Sequence, residues 1–487
     1  MPGGVRPELE GRRHSRRVAA RRRPLLPVAL MVAGLALTTL SGLRLRSELW
    51  PPPGGATTPP SASDCTNQGC RANDDPRPAR GYEVPAVAVG PADPDHMVVT
   101  DINLVGGHCG WHVTFDGGRE WTDGVFELPP GFRQCRLDSG GFLPLGNVAV
   151  GPSGTIYTVL ASARVDEQGR PTEGESVLLA RSGDGGRSFS PATVAVPGGP
   201  PTDSWLRPAL TAAPGPSGSD RLLISFWGCR PPSGAQPGIC DRALFAQSRD
   251  AGATFSEPVV VNDDPAGFSP SGPAVGADGS VYVLFLRRFN DGIADVLLAR
   301  SVDDGASFSV TAVDRQPRVG LTYDSAKLEV APDGRTLYTV FSDNRTGDPD
   351  VYFRRSTDGG RTWDQAVRLN RDPAGSSYLP WLSVAPGGRI DVVFYQRRVE
   401  DTDDVQWTYS TDGGETFARD LQINEDSIDR QVGYWFEVGD SYPPRVASSE
   451  EAAYVVWSDS AAGTAAGTAA TDTQDTFLRR MAIDPGP

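Results

Sequence analysis

Residues 328–358 read LEVAPDGRTLYTVFSDNRTGDPDVYFRRSTD. Apolar residues come in short runs with partial alternation, and each run stops at a cluster of Pro, Gly, Asp or Asn. A period near two with this punctuation predicts β-strands joined by tight turns. A first apolar strand leads to a Pro-x-Gly turn. A second strand (TLYTVF), a polar loop and a third strand (DVYFRRS) follow. Parallel copies begin at Ser383 (SVAPGGRIDVVFYQRR) and Ala274 (AVGADGSVYVLFLRR).

Each such stretch runs into the same polar signature, Ser/Thr-x-Asp-x-Gly-x-x-Phe/Trp. It occurs six times, starting at Thr114, Ser182, Ser248, Ser301, Ser356 and Ser410. Successive starts are 68, 66, 53, 55 and 54 residues apart. Regular self-similarity on this scale predicts propeller blades. The motif suits a hairpin turn into a fourth strand. Its Asp can accept backbone N–H groups across the turn, its Gly admits a positive φ, and its aromatic can pack between sheets. Asp116, Asp184, Asp250, Asp303, Asp358 and Asp412 are therefore read as structural.

A further unit lacks the signature. Phe436–Asp459 supplies two strands and Thr476–Ile483 a third, after which the chain ends without a fourth. Residues 70–87 (CRANDDPRPARGYEVPAV) parallel 260–275 (VVNDDPAGFSPSGPAV), which places Asn73 where Asn262 stands, just after a fourth strand. A strand near 66–72 is thus expected to complete the last blade and close the ring, removing a sheet edge. The expected fold is all-β: a propeller of seven four-stranded antiparallel blades over 66–487, with six blades as the alternative.

The N-terminus changes the picture. Ten Arg and three Glu give residues 1–50 a charge of +7, while the whole chain carries −15, leaving −22 for the rest. Eight of those Arg precede an apolar stretch, LLPVALMVAGLALTTLSGL. Nineteen residues at the helical rise span roughly 28 Å, enough for a bilayer core. The reading is a cytoplasmic tail (1–23), a single transmembrane helix acting as signal anchor (24–43), and a Pro/Gly-rich stalk (44–65) leading to an extracytoplasmic propeller. Secretion after signal cleavage is the alternative, with Ser15-Arg16-Arg17 hinting at a twin-arginine signal; no A-x-A site follows the apolar run. An ectodomain this acidic repels phosphate backbones, which argues against nucleic acid.

Six cysteines, Cys65, Cys70, Cys109, Cys135, Cys229 and Cys240, all follow the apolar segment. The even count and close spacing suggest local disulfides 65–70, 109–135 and 229–240 in an oxidising compartment, among fifteen possible pairings. No CxxC pair supports a metal site, and His108 and His112 in HCGWH flank a cysteine expected to be oxidised. No metal is expected. No nucleotide, haem or flavin motif occurs, so no organic cofactor is expected either.

With these six motifs the chain resembles the Asp-box (BNR) repeat proteins, which include bacterial sialidases, over about residues 66–487. The resemblance implies a ligand face opposite the Asp-box turns. Arg164, Arg230, Arg288 (or Arg287), Arg345 and Arg398 (or Arg397) follow second strands on that face. Converging guanidinium groups suit a carboxylate, although each could pair with an Asp of its own loop. A sialidase-type site would need a Tyr nucleophile paired with a Glu. Tyr434 with Glu425 or Glu437, and Tyr323 with Glu329, are candidates, and Tyr378, Trp381 and Trp435 belong to the same blade-to-blade connections. The family's Arg-Ile-Pro motif is absent. Tyr82-Glu83-Val84-Pro85 stands there, and Glu83 would repel a carboxylate. Leu206-Arg207-Pro208 is similar but falls in the third blade. The expected role is binding a carbohydrate or protein ligand. Exo-alpha-sialidase-type hydrolysis and a non-catalytic scaffold are the alternatives.

Overall fold

The computed structural model describes residues 65, 69–73, 80–135, 145–199, 203–230, 239–262, 267–288, 294–315, 326–372, 374–399, 401–430, 442–460 and 473–483. The tail, the apolar segment 24–43 and most of the stalk lie outside the described residues. Within them, no helix is long and apolar enough to cross a membrane.

β1 (Cys70–Arg71) comes first. β2 (Arg80–Gly90), β3 (Asp93–Asn103), β4 (His108–Thr114) and β5 (Thr122–Val125) then form an antiparallel meander. The next comprises β6 (Leu145–Val150), β7 (Ile156–Ser162), β8 (Ser176–Ser182) and β9 (Thr193–Val196). After it come β10 (Ser204–Pro214), β11 (Asp220–Arg230), β12 (Ile239–Ser248) and β13 (Val259–Val260). In the following meander the first strand is split into β14 (Gly267–Pro270) and β15 (Ala274–Val275), both paired with β16 (Val281–Arg288); β17 (Ala294–Ser301) and β18 (Ser309–Arg315) complete it. Then come β19 (Ala326–Val330), β20 (Leu337–Asp343), β21 (Asp350–Ser356) and β22 (Val367–Arg368). β23 (Ser376–Val384), β24 (Ile390–Val399), β25 (Thr402–Ser410) and β26 (Leu421–Gln422) follow, with β27 (Ile428–Asp429) also on β25. The last meander is β28 (Arg445–Ser448), β29 (Ala452–Asp459) and β30 (Thr473–Ala482).

The fold is thus all-β, with repeated four-stranded antiparallel sheets arranged as in a propeller. β1 pairs antiparallel with β30 (Cys70↔Leu478, Arg71↔Phe477). β30 also touches β2 through a short parallel pairing, Arg80↔Thr473 and Gly81↔Gln474. The first and last meanders therefore merge into one eight-stranded sheet.

The core lies between neighbouring meanders, and its clusters run round in order. Ile102 shares a cluster with Leu178, Leu179 with Phe226, Phe245 with Leu297, Leu298 with Phe341, and Phe353 with Phe394. Trp407 shares one with Trp457, and Tyr454 with Val99, which brings the last meander back to the first. Middle strands are covered on both faces, so every residue of β7, β20 and β29 is buried. This explains why alternation along the chain is only partial. The outermost strands are short and exposed, as in β22 and β26. Trimmed edges of this kind present few unpaired backbone groups.

The six signature turns each join a third to a fourth strand. In all six the Ser or Thr hydroxyl donates to the Asp carboxylate at 2.7–2.9 Å. The backbone N–H four residues beyond each Ser or Thr donates back to that hydroxyl. The N–H four residues beyond each Asp donates to the Asp. The motif aromatics Trp121, Phe189, Phe255, Phe308, Trp363 and Phe417 pack on the cluster shared with the preceding meander.

First strands carry a second recurrent device. Val84, Arg207 and Leu379 have φ of 56°, 48° and 52°, and each precedes a proline. Strand register slips at each of these points, between Glu83 and Ala86, Leu206 and Ala209, and Tyr378 and Trp381. A bulge with a proline gives up ladder bonds and re-aims the side chains beside it. Tyr378 and Trp381 consequently lie inside β23 and not in a blade-to-blade loop, as the sequence reading had them.

Candidate ligand face

First strands begin, second strands end and third strands begin on the face opposite the signature turns. Arg164 lies on the β7–β8 connection. It is exposed, with its Cζ 4.8 Å from the Phe132 ring centroid and its Nε 4.0 Å from Glu173. Arg345 lies on the β20–β21 connection, whereas Arg230, Arg288 and Arg398 fall at or near the ends of strands β11, β16 and β24. The side chain of Arg288, and all of Tyr323, Tyr434, Trp435 and Glu437, lie outside the described residues. Glu425 is exposed between β26 and β27.

The described guanidinium groups at or just after second-strand ends are paired with carboxylates, several of them at third-strand starts. Arg230 pairs with Asp241, and Arg287 with Asp295 at 2.6 Å. Arg345 pairs with Asp343 and with Asp314 at 3.2 Å. Arg398 bridges Asp372 at 2.9 Å and Asp404 at 2.7 Å. Asp241, Asp295 and Asp404 lie near third-strand starts, where the register brings them to the matching second-strand ends, as with Arg287 opposite Asp295; Asp343 closes β20, Asp314 lies in β18 and Asp372 precedes β23. Such pairs fix charge locally and leave less of it for a ligand.

The most elaborate network sits at the start of β23–β25. Tyr378 donates to Asp403 at 2.6–2.7 Å, and Arg397 donates to Asp403 (3.0 and 2.9 Å) and to the Tyr378 oxygen (2.6 Å). Arg430, buried behind them, also pairs with Asp403 and lies 5.0 Å from the Tyr395 ring centroid. Burial opposes ionisation of Asp403, but Arg430 and then Arg397 outweigh it and hold its carboxyl below the usual range. Burial drives the Tyr378 phenol well above its usual range. A tyrosine beside a carboxylate and two guanidiniums has the makings of a nucleophile. At 1% exposure, with its proton held by Asp403, Tyr378 instead ties β23 to β25.

Glu83 is similarly enclosed. It accepts from Gln474, from Ser458 at 3.4 Å and from the Val84 N–H at 3.3 Å. Burial pushes its carboxyl up to about 7. It therefore joins β2 to β29 and β30 at the seam between first and last meanders, and is not turned outward against a ligand.

His112 is held on both sides. Its Nε2 lies 2.9 Å from Asp101 and its Nδ1 2.7 Å from Asp123. Burial works against the charged ring, yet Asp101 and then Asp123 prevail and raise it to about 10. Thr476 of β30 donates to Asp101 at 2.7 Å, adding a second tie across the seam. Among the described residues no group of His, Cys, Asp or Glu is arranged to hold a metal ion. The disulfides are Cys65–Cys70, Cys109–Cys135 and Cys229–Cys240.

Sequence reasoning passed over Arg430, Tyr395 and the His112 clamp. It matched Asn73 with Asn262 after a fourth strand, but did not extend the match to Asn370 and Asn424 or give the side chain a role. The side chains of Asn262, Asn370 and Asn424 accept from the N–H groups of Ala243, Val351 and Val405 on third strands, at 2.8–3.0 Å. The recurrence of Asn-x-Asp after each of these fourth strands was the available signal.

No family model matches the sequence, and no curated relative matches it. Among solved structures the chain is similar to the Hadza microbial sialidase Hz136, at 15% identity over 81% of this chain and 75% of that one, TM-score 0.46. A protein of unknown function from Dyadobacter fermentans aligns at 15% identity over 73% of this chain and all of that one, TM-score 0.49. A family PL25 ulvan lyase, a polysaccharide lyase, aligns at 12% identity over 83% and 94%, TM-score 0.49. Identities this low carry no residue roles from those proteins to this one.

Proposed function

We propose that this chain is a seven-bladed Asp-box propeller, anchored by residues 24–43 on the extracytoplasmic side of a membrane, that binds a glycan or protein ligand on the face opposite its Asp-box turns. One observation carries the binding reading over hydrolysis. The arginines that a carboxylate-binding cluster would use, Arg230, Arg345 and Arg398, are ion-paired to aspartates of their own meanders. The count of seven is supported by the run of inter-sheet clusters that returns from β29 to β3. The paired but half-exposed guanidiniums of Arg230 and Arg398 offer N–H donors to neutral hydroxyls or backbone carbonyls without requiring a ligand charge. The full chain, purified in detergent and applied to immobilised neutral and acidic glycans, is expected to bind a defined subset. Arg398→Ala is expected to weaken that binding about tenfold, a loss of roughly 1.4 kcal/mol. Binding unchanged by Arg398→Ala and by Arg230→Ala would move the ligand off this face, and absence of glycan binding would leave a protein ligand.

A further inference from the structure

Where the first strands meet, charge is arranged unlike the rest of this acidic chain. Arg445 opens β28 and is 9% exposed. Its Nη1 donates to the Gly146 carbonyl of β6, at 3.1 Å. β6 belongs to the second meander and β28 to the last, so this side chain passes over the first. Its Cζ lies 4.8 Å from the ring centroid of Trp381, in β23. No carboxylate among the described residues pairs with it, and its buried Nε has no partner. Burial pulls the guanidinium down to about 10, against the opposing effect of nearby Tyr442. A buried charge left with one carbonyl and one ring face is costly unless a counter-ion completes it.

The surroundings supply a second unmet donor. The Tyr442 hydroxyl is buried without a partner, while its ring packs on the cluster between the first two meanders. Arg207, from β10, places its Cζ 5.4 Å from the Tyr442 ring centroid. Lys327, the only lysine of the chain, sits 5.1 Å from the Trp381 ring centroid on its other contact, neutralised by Glu329 at 2.7 Å. Side chains from well-separated meanders thus converge around Arg445 and Tyr442, and both carry donor groups with no acceptor.

We propose that a small anion, chloride or a carboxylate, binds beside Arg445, accepting from its Nε and from the Tyr442 hydroxyl. Its occupant acts as a counter-ion that braces first strands of the ring, beneath the ligand face on which those strands begin. Bound only by the folded chain, such an anion raises stability by mass action.

The test is thermal unfolding of the full chain in detergent, titrating sodium chloride or sodium acetate against sodium isethionate at constant ionic strength. The midpoint is expected to rise saturably, by about 3 °C at a hundredfold excess over Kd. A response to chloride alone assigns the halide, and one to acetate alone assigns a carboxylate. Arg445→Met is expected to abolish the rise, whereas Arg335→Gln, in an exposed turn, keeps it. Should Arg445→Met fail to fold, Tyr442→Phe reads the same site, with an expected tenfold loss of apparent affinity. A wild-type midpoint indifferent to the anion, or an unchanged response in Arg445→Met or in a folded Tyr442→Phe, would overturn the proposal and leave water as the partner of both donors.

Discussion

Single side chains at the seam between first and last meanders respond to pH in ways that can be worked out. His112 is raised to about 10 by Asp101 and Asp123. A raised base stabilises the fold fully below its unfolded value near 6.5, and that contribution is lost as pH rises through about 10. His112→Ala should therefore cost about 3 kcal/mol at pH 6, since it leaves the buried Asp101 carboxylate without its cation. Its deficit against the wild type, measured by chemical denaturation, should shrink between pH 7 and pH 10. Glu83 is raised to about 7 by burial. Its neutral form is the one the fold favours, so its contribution is present below about 4.5 and is lost as pH rises through about 7. Glu83→Gln should match the wild type at pH 5 and exceed it in unfolding midpoint at pH 8; the reverse order would mean that Arg430 keeps Glu83 ionised. These roles were hidden in the sequence for a plain reason. Asp123 is directly opposite His112 in the β4–β5 register, and Asp101 lies on the next strand over. Both relations depend on pairing, and HCGWH alone suggests only a metal or a disulfide.

At the scale of elements, the signature turns were legible because every part of them is local. Ser356, Asp358 and Gly360 bond within a few residues of one another, so spacing alone defines the geometry. Gly360 has φ +82°, and a Cβ there would come 2.3 Å from Leu298 Cδ2 of the neighbouring meander. Gly360→Ala should cost about 2 kcal/mol, from left-handed strain and from displaced packing, read as a shift in denaturation midpoint. The bulges at Val84-Pro85, Arg207-Pro208 and Leu379-Pro380 were not legible. A proline within a strand-like run looks like a strand end. Only the register slip shows that the strand continues past it and turns Tyr378 toward Asp403. Arg345 meets Asp343 two residues before it, as a local pairing allows, whereas Arg230 and Arg398 meet Asp241 and Asp404 near third-strand starts, a relation that only strand register shows.

For the whole molecule, ring closure is the property that matters most. β1 stands where the last meander lacks a fourth strand, and pairs with β30 from more than four hundred residues away in sequence. The internal parallel between 70–87 and 260–275 made that pairing legible, since a repeat copies its neighbours' order. What repeats cannot copy is function. The strand order, the turns and the clusters recur from meander to meander, whereas the groups that would distinguish an enzyme from a binding module, Glu83, Tyr378 and the paired arginines, occur once or vary. The charge split is also a whole-chain property: residues 1–50 carry +7 and the rest −22, in keeping with the proposed anchor followed by an acidic propeller. Hydrolysis of a fluorogenic sialoside by the full chain in detergent, beside Tyr378→Phe, tests the central claim most directly. The account predicts no turnover above buffer for either protein, with circular dichroism showing both folded. Turnover by the wild type that Tyr378→Phe abolishes would contradict it and make the buried Tyr378–Asp403 pair part of an active site.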